Sequence, residues 1–120
     1  MKKITLLILV FTFFTTVAQT TTTGQISLTS GYTVQFDVDG TNNTVTMTMI
    51  GPSNRWLGIA LNSTTPGMGA SGDDVVLFLG NEIRDAYLSG GYVAPATDAN
   101  QNWTLSSSTT SGSSTTAVAT

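Results

Sequence analysis

Residues 32–49 read YTVQFDVDGTNNTVTMTM, and this stretch decides the fold class. Tyr32, Val34, Phe36 and Val38 alternate with Thr33, Gln35 and Asp37. Val45, Met47 and Met49 then alternate with Thr44, Thr46 and Thr48. A period of two puts all the apolar side chains on one face of an extended strand. Asp39-Gly40 and Thr41-Asn42-Asn43 lie between the two runs and carry turn chemistry, so they predict a hairpin. One face is apolar and the other is threonine, as expected of a sheet with one side against water.

Outward from this hairpin the pattern continues. Ile26 and Leu28 predict a short edge strand, and residues 19–25 an extended or disordered leader to it. Gly51-Pro52-Ser53-Asn54 is a turn, and Arg55 to Leu61 is a third strand. Residues 62–72 form a glycine-rich loop. Asp73-Asp74 then lead into Val75-Val76-Leu77-Phe78-Leu79, a continuous apolar run that predicts a central strand covered on both faces. Gly80-Asn81 turns the chain into a returning strand over Glu82 to Leu88. Residues 89–100 read as irregular, Trp103 to Leu105 as the start of a strand, Ser106 to Ser114 as a turn, and Thr115 to Thr120 as a last strand. No segment holds a 3.6-residue apolar period. Short strands recur with turns between them, which is the signature of an all-β sandwich or barrel.

Residues 1–18 have a different character. Lys2 and Lys3 precede an apolar run from Ile4 to Phe14, and Thr16-Val17-Ala18 supplies small residues for cleavage. This is the pattern of a secretory signal peptide, with Gln19 as the new N-terminus. The run is shorter than the roughly 20 residues of a membrane span, so no stable membrane anchor is expected after cleavage. The reading is of a protein exported to the periplasm, cell surface or medium, with a leader of bacterial type. It leaves 19–29 as a leader or edge strand and 30–120 as one sandwich domain.

Composition narrows the chemistry. Once Lys2 and Lys3 leave with the signal, Arg55 and Arg84 face seven carboxylates. Nucleic acids and anionic membranes need clustered Lys and Arg, so neither is an expected partner. The chain has no cysteine and no histidine. A Ser-His-Asp triad is therefore impossible, and the usual zinc ligands are missing. No pair of acids is placed across a cleft, and no enzymatic activity is expected.

The block from Arg55 to Val76, RWLGIALNSTTPGMGASGDDVV, resembles the DOMON family of secreted β-sandwiches. Trp56, Gly58, Met68, Asp74 and Val75-Val76 match the family pattern of a Trp, an aliphatic-Gly-aliphatic strand, a Gly-rich loop with Met, and an Asp before an apolar strand. Asp85, Gly90-Gly91-Tyr92, Pro95 and Asp98 extend the likeness, which covers residues 30–118. It implies an antiparallel, immunoglobulin-like sandwich that here ends before the family's last strands. It also implies a ligand: a sugar in one branch, b-type haem in an electron-transfer branch similar to the cytochrome domain of cellobiose dehydrogenase. Ligand-binding candidates are Trp56, Met68, Asp74 and Tyr92, with Met68 as the haem-iron ligand of the second branch.

Each candidate also has a plainer role. Met68 can plug the end of a sandwich, Trp56 can pack in the core, and Asp73-Asp74 can hold turns or a calcium ion together with loop carbonyls. A third reading, with no small ligand, is a structural or adhesive domain that pairs a strand edge with another chain.

Overall fold

The computed structural model describes residues 19–64 and 71–120. The signal reading and Met68 lie outside the described residues. Those residues contain no helix, and none of their segments is a helix long and apolar enough to cross a membrane.

Ten strands form two antiparallel sheets: β1 (Thr20–Thr22), β2 (Ile26–Thr29), β3 (Tyr32–Asp39), β4 (Thr44–Pro52), β5 (Leu57–Leu61), β6 (Ser71–Phe78), β7 (Ile83–Ser89), β8 (Ala96–Thr97), β9 (Leu105–Ser111) and β10 (Ser114–Ala119). The first sheet runs β1-β3-β4-β10-β9, with β2 also on β3; the second runs β5-β6-β7-β8. The hairpin at 32–49 forms as its alternation requires, pairing Phe36 with Met47 and Val34 with Met49. Its turn is closed by Asp39, whose carboxylate accepts N–H bonds from Thr41 and Asn42 and a bond from the Asn42 side chain. These bonds hold the Asp39 carboxyl below its usual range.

Residues 19–25 are more ordered than their composition suggests. Thr20–Thr22 pairs with Asp37–Asp39, and Ile26–Thr29 pairs with the start of the same strand. Thr23 carries the ladder across the break: its N–H donates to the Phe36 carbonyl, and its hydroxyl accepts from the Phe36 N–H. Residues 106–111 are likewise strand rather than turn, and only Gly112 and Ser113 turn the chain. β9 has no apolar alternation because it is a sheet edge exposed along most of its length. Pairing with β10 specifies it, through Ala117↔Ser108 and Thr115↔Thr110. β10 itself lies inside its sheet, between β4 and β9.

The core fills the space between the sheets. Val34, Met47, Met49, Ala117 and Ala119 from the first sheet meet Leu57, Val76 and Phe78 from the second. β6 meets the expectation of its apolar run. It is central in its sheet, and Val75, Val76, Leu77 and Phe78 are all buried. Val76 and Phe78 face the inter-sheet core, while Val75 and Leu77 join Ala86 and Leu88 in a second apolar cluster on the outer face.

The sheets pack tightly where β4 hands over to β5. Gly51 is buried there, and a Cβ on it would collide with Leu57 Cδ2 and meet Tyr32 Cδ2 at 3.3 Å. Gly51→Ala is expected to destabilise the fold by about 1–3 kcal/mol through overpacking; urea unfolding measures this, and an unchanged midpoint would contradict the packing described.

Candidate functional site

Trp56 just precedes β5, a strand on the edge of its sheet. Its side chain stays 58% exposed, on the face of the second sheet that points away from the core. What permits this is Gly58, two residues on. A Cβ at Gly58 would lie 3.0 Å from Trp56 Cζ3, 3.5 Å from Cε3 and 2.8 Å from Leu77 Cδ2. The indole therefore lies across bare backbone, with Leu77 beside it. Beneath the same glycine, the Tyr32 hydroxyl donates to the Gly58 carbonyl at 2.8 Å and approaches Met49 Sδ at 3.4 Å. Burial pushes the Tyr32 phenol up to about 12, so it stays a neutral donor across the physiological range.

Trp56 separates two open depressions. One, of about 240 Å³, is lined by Trp56, Leu77, Leu79, Arg84, Ala94 and Pro95. The other, of about 490 Å³, is lined by Ser53, Asn54, Arg55, Trp56, Leu79 and Gly80. Among the described residues, Arg55 and Arg84 are the only Lys or Arg, and the depressions share them, one each. Arg84 is also paired with Glu82. An exposed indole with guanidinium groups on both sides can stack on a flat apolar ligand face and hydrogen-bond polar or anionic groups at its rim. A larger depression of about 610 Å³, at Gly31, Gly51, Pro52 and the β9–β10 turn, has neither an aromatic nor a charged side chain in its lining.

The other candidates do not gather around Trp56. Tyr92 stands in the β7–β8 connection, 93% exposed, and lines neither depression. Asp74 lies on the opposite face of the sheet, because it shares the register of Val76 and Phe78 and not that of Leu77. Asp74 and Trp56 therefore cannot serve one ligand. Met47 and Met49, the methionines of the described residues, are fully buried in the core and could not reach a haem iron. Sequence reasoning missed Arg84, Leu77, Leu79 and Ala94, and noted Pro95 without making it a site residue. The scarcity of cations was a signal that could have pointed to Arg84.

Asp74 has a separate neighbourhood. Its carboxyl is pushed above the ordinary 3.8, first by lost solvation, then by the charge and close approach of Asp85, then by the charge of Asp98; the Val75 N–H works against them. Asp85 is 2% exposed and accepts from the Asn102 N–H through Oδ2, but its Oδ1 has no partner. The two carboxyls approach without forming a well-made hydrogen bond.

Two outcomes are expected. Gly58→Ala should cost about 1–2 kcal/mol in urea unfolding, because Leu77 and Trp56 must both shift; a neutral result would show that the indole does not lie on Gly58. The raised Asp74 carboxyl means that the folded state holds its proton more tightly than the unfolded state does. The favourable contribution is present at low pH and is lost as pH rises through the raised folded value. Subtracting the Asp74→Asn stability profile from that of the wild type, both in chelator, should leave a difference that falls with rising pH above the ordinary carboxylate range; a flat or rising difference would contradict the shift.

No family model, curated protein or solved structure matches this chain.

Proposed function

We propose that this chain is an exported, non-catalytic binding module of DOMON type, an immunoglobulin-like sandwich that takes a sugar or similar small ligand on the Trp56 surface. The observation that carries this reading is Trp56, packed against Gly58 and left more than half exposed between two depressions. A buried core tryptophan would have made the site disappear. Indole rings offer a rigid apolar face at low conformational cost, which suits the C–H face of a pyranose. Arg55 and Arg84 at the rim favour sugars with carboxylate or other anionic groups. The passage of the chain from the first sheet to the second after β4, and back before β9, supports a sandwich of this type. Haem ligation rests on Met68 alone in a chain without histidine, and no described residue adds to it.

A second reading draws on β9. This edge carries no charge and no proline from Leu105 to Ser111, the usual devices against pairing with another chain. It fits an adhesive or structural role through strand addition.

Calorimetric titration of the signal-free protein with neutral and uronate-containing oligosaccharides tests the first reading. Binding is expected, stronger for the acidic sugars, with Trp56→Ala lowering affinity by about tenfold or more, roughly the 1.4 kcal/mol of one stacking contact. Binding unaffected by Trp56→Ala, or no binding to a folded monomer, would overturn it. Concentration-dependent dimers without sugar binding would favour the β9 edge.

A further inference from the structure

We propose that Asp74 and Asp85, with Asp98 beside them, form a binding site for a hard divalent cation of the calcium type. The proposal is independent of the Trp56 surface, which lies on the other face of the same sheet.

The register brings the acids together. Val76 pairs with Asp85 and Asp74 pairs with Tyr87, so Asp74 and Asp85 are diagonal neighbours on the inward face of β6 and β7. Diagonal neighbours on a sheet lie within reach of each other's side chains. Asp98 is fixed against the same strand by its N–H, which donates to the Asp85 carbonyl at 3.0 Å.

The corner is rigid. Gln101 accepts from the Asp85 N–H at 2.9 Å, and its Nε2 donates to the carbonyls of Asp85 and Asp98, each at 2.8 Å. The Asn102 N–H then holds Asp85 Oδ2 at 3.1 Å. Three of these bonds, together with that of the Asp98 N–H, lock the 98–102 segment to β7 around one buried carboxylate. Asp85 cannot swing out to water, yet its Oδ1 is buried with no partner. Buried charge persists where it is paired or coordinates a metal. Among the described residues, no side-chain cation takes this place. Arg84 belongs to the opposite face and pairs with Glu82, and Arg55 lines the Trp56 depression.

The oxygen chemistry sets the class of ion. Carboxylates, carbonyls and water are hard ligands, and Ca²⁺ accepts about six to eight of them in flexible geometry. No group of three His, Cys, Asp or Glu among the described residues could hold a metal by itself. The ion would be held by the two carboxylates Asp74 and Asp85, completed by carbonyl and water oxygens, with Asp98 adding negative field. Asp73 is not part of the site, since its carboxylate accepts from Ser63.

The test is thermal unfolding of chelator-treated protein at fixed pH and ionic strength, titrated with CaCl₂ to about 5 mM, some ten times the weak dissociation constants typical of extracellular calcium sites. The midpoint should rise by several degrees, and NMR should show the Asn102 and Asp98 amides shifting along the same titration. Asp74→Asn, at an exposed position that leaves the buried network intact, should lose most of the rise; Asp85→Asn should lose all of it if it folds. An equal rise in Asp74→Asn would overturn the proposal. So would no response of the folded protein to Ca²⁺ or Mg²⁺.

Discussion

Gly58 carries the contact on which the rest of this structure depends. Above it lies the Trp56 indole; below it, the Tyr32 hydroxyl from the other sheet donates to its carbonyl. Any side chain here would push on Leu77 and Trp56 together. β5 is a sheet edge, and edge carbonyls that face away from the neighbouring strand need other donors. The Tyr32 hydroxyl donates to the Gly58 carbonyl and ties the two sheets at that point. The missing side chain therefore joins a structural requirement, close approach of the sheets, to a functional one, an aromatic face left open to solvent.

The second sheet works on both faces. Its inward side supplies Val76 and Phe78 to the core and gathers Asp74 and Asp85 in one corner. Its outward side carries Val75, Leu77, Ala86 and Leu88, with Trp56 and Arg84 at the margin. A strand such as β6, apolar at four consecutive positions, is what makes this possible. The first sheet behaves differently: one side is core, and the other is mostly polar, with Thr33, Gln35, Asp37, Thr46 and Thr48 among its residues. The chemistry-bearing residues accordingly collect on the second sheet.

Much of this was legible in the sequence. The alternation over 32–49 fixed a hairpin and its inward residues, and the unbroken run at 75–79 marked a central strand. β1 and β9 were not legible, because threonine and serine strands at a sheet edge have no apolar period; their partners specify them. The candidate site was half legible. Trp56 and Gly58 stood out as a pair, but which face of the sheet they served depended on packing. The likeness that grouped Trp56 with Asp74 could not show that consecutive strand residues point to opposite faces. Tyr92 drew notice as an aromatic in a glycine-rich stretch, and it projects into solvent. Arg84 and the partnerless oxygen of Asp85 come from non-local contacts that no spacing rule reveals.

The most direct test of the account is the NMR spectrum of the Gly58 α protons. With the indole packed against Gly58, the α proton that faces it should be displaced from the ordinary glycine range by the ring current and should give strong cross-relaxation to the Trp56 ring protons. Ordinary glycine shifts, with no cross-relaxation to Trp56, would show that the aromatic surface is not built as described.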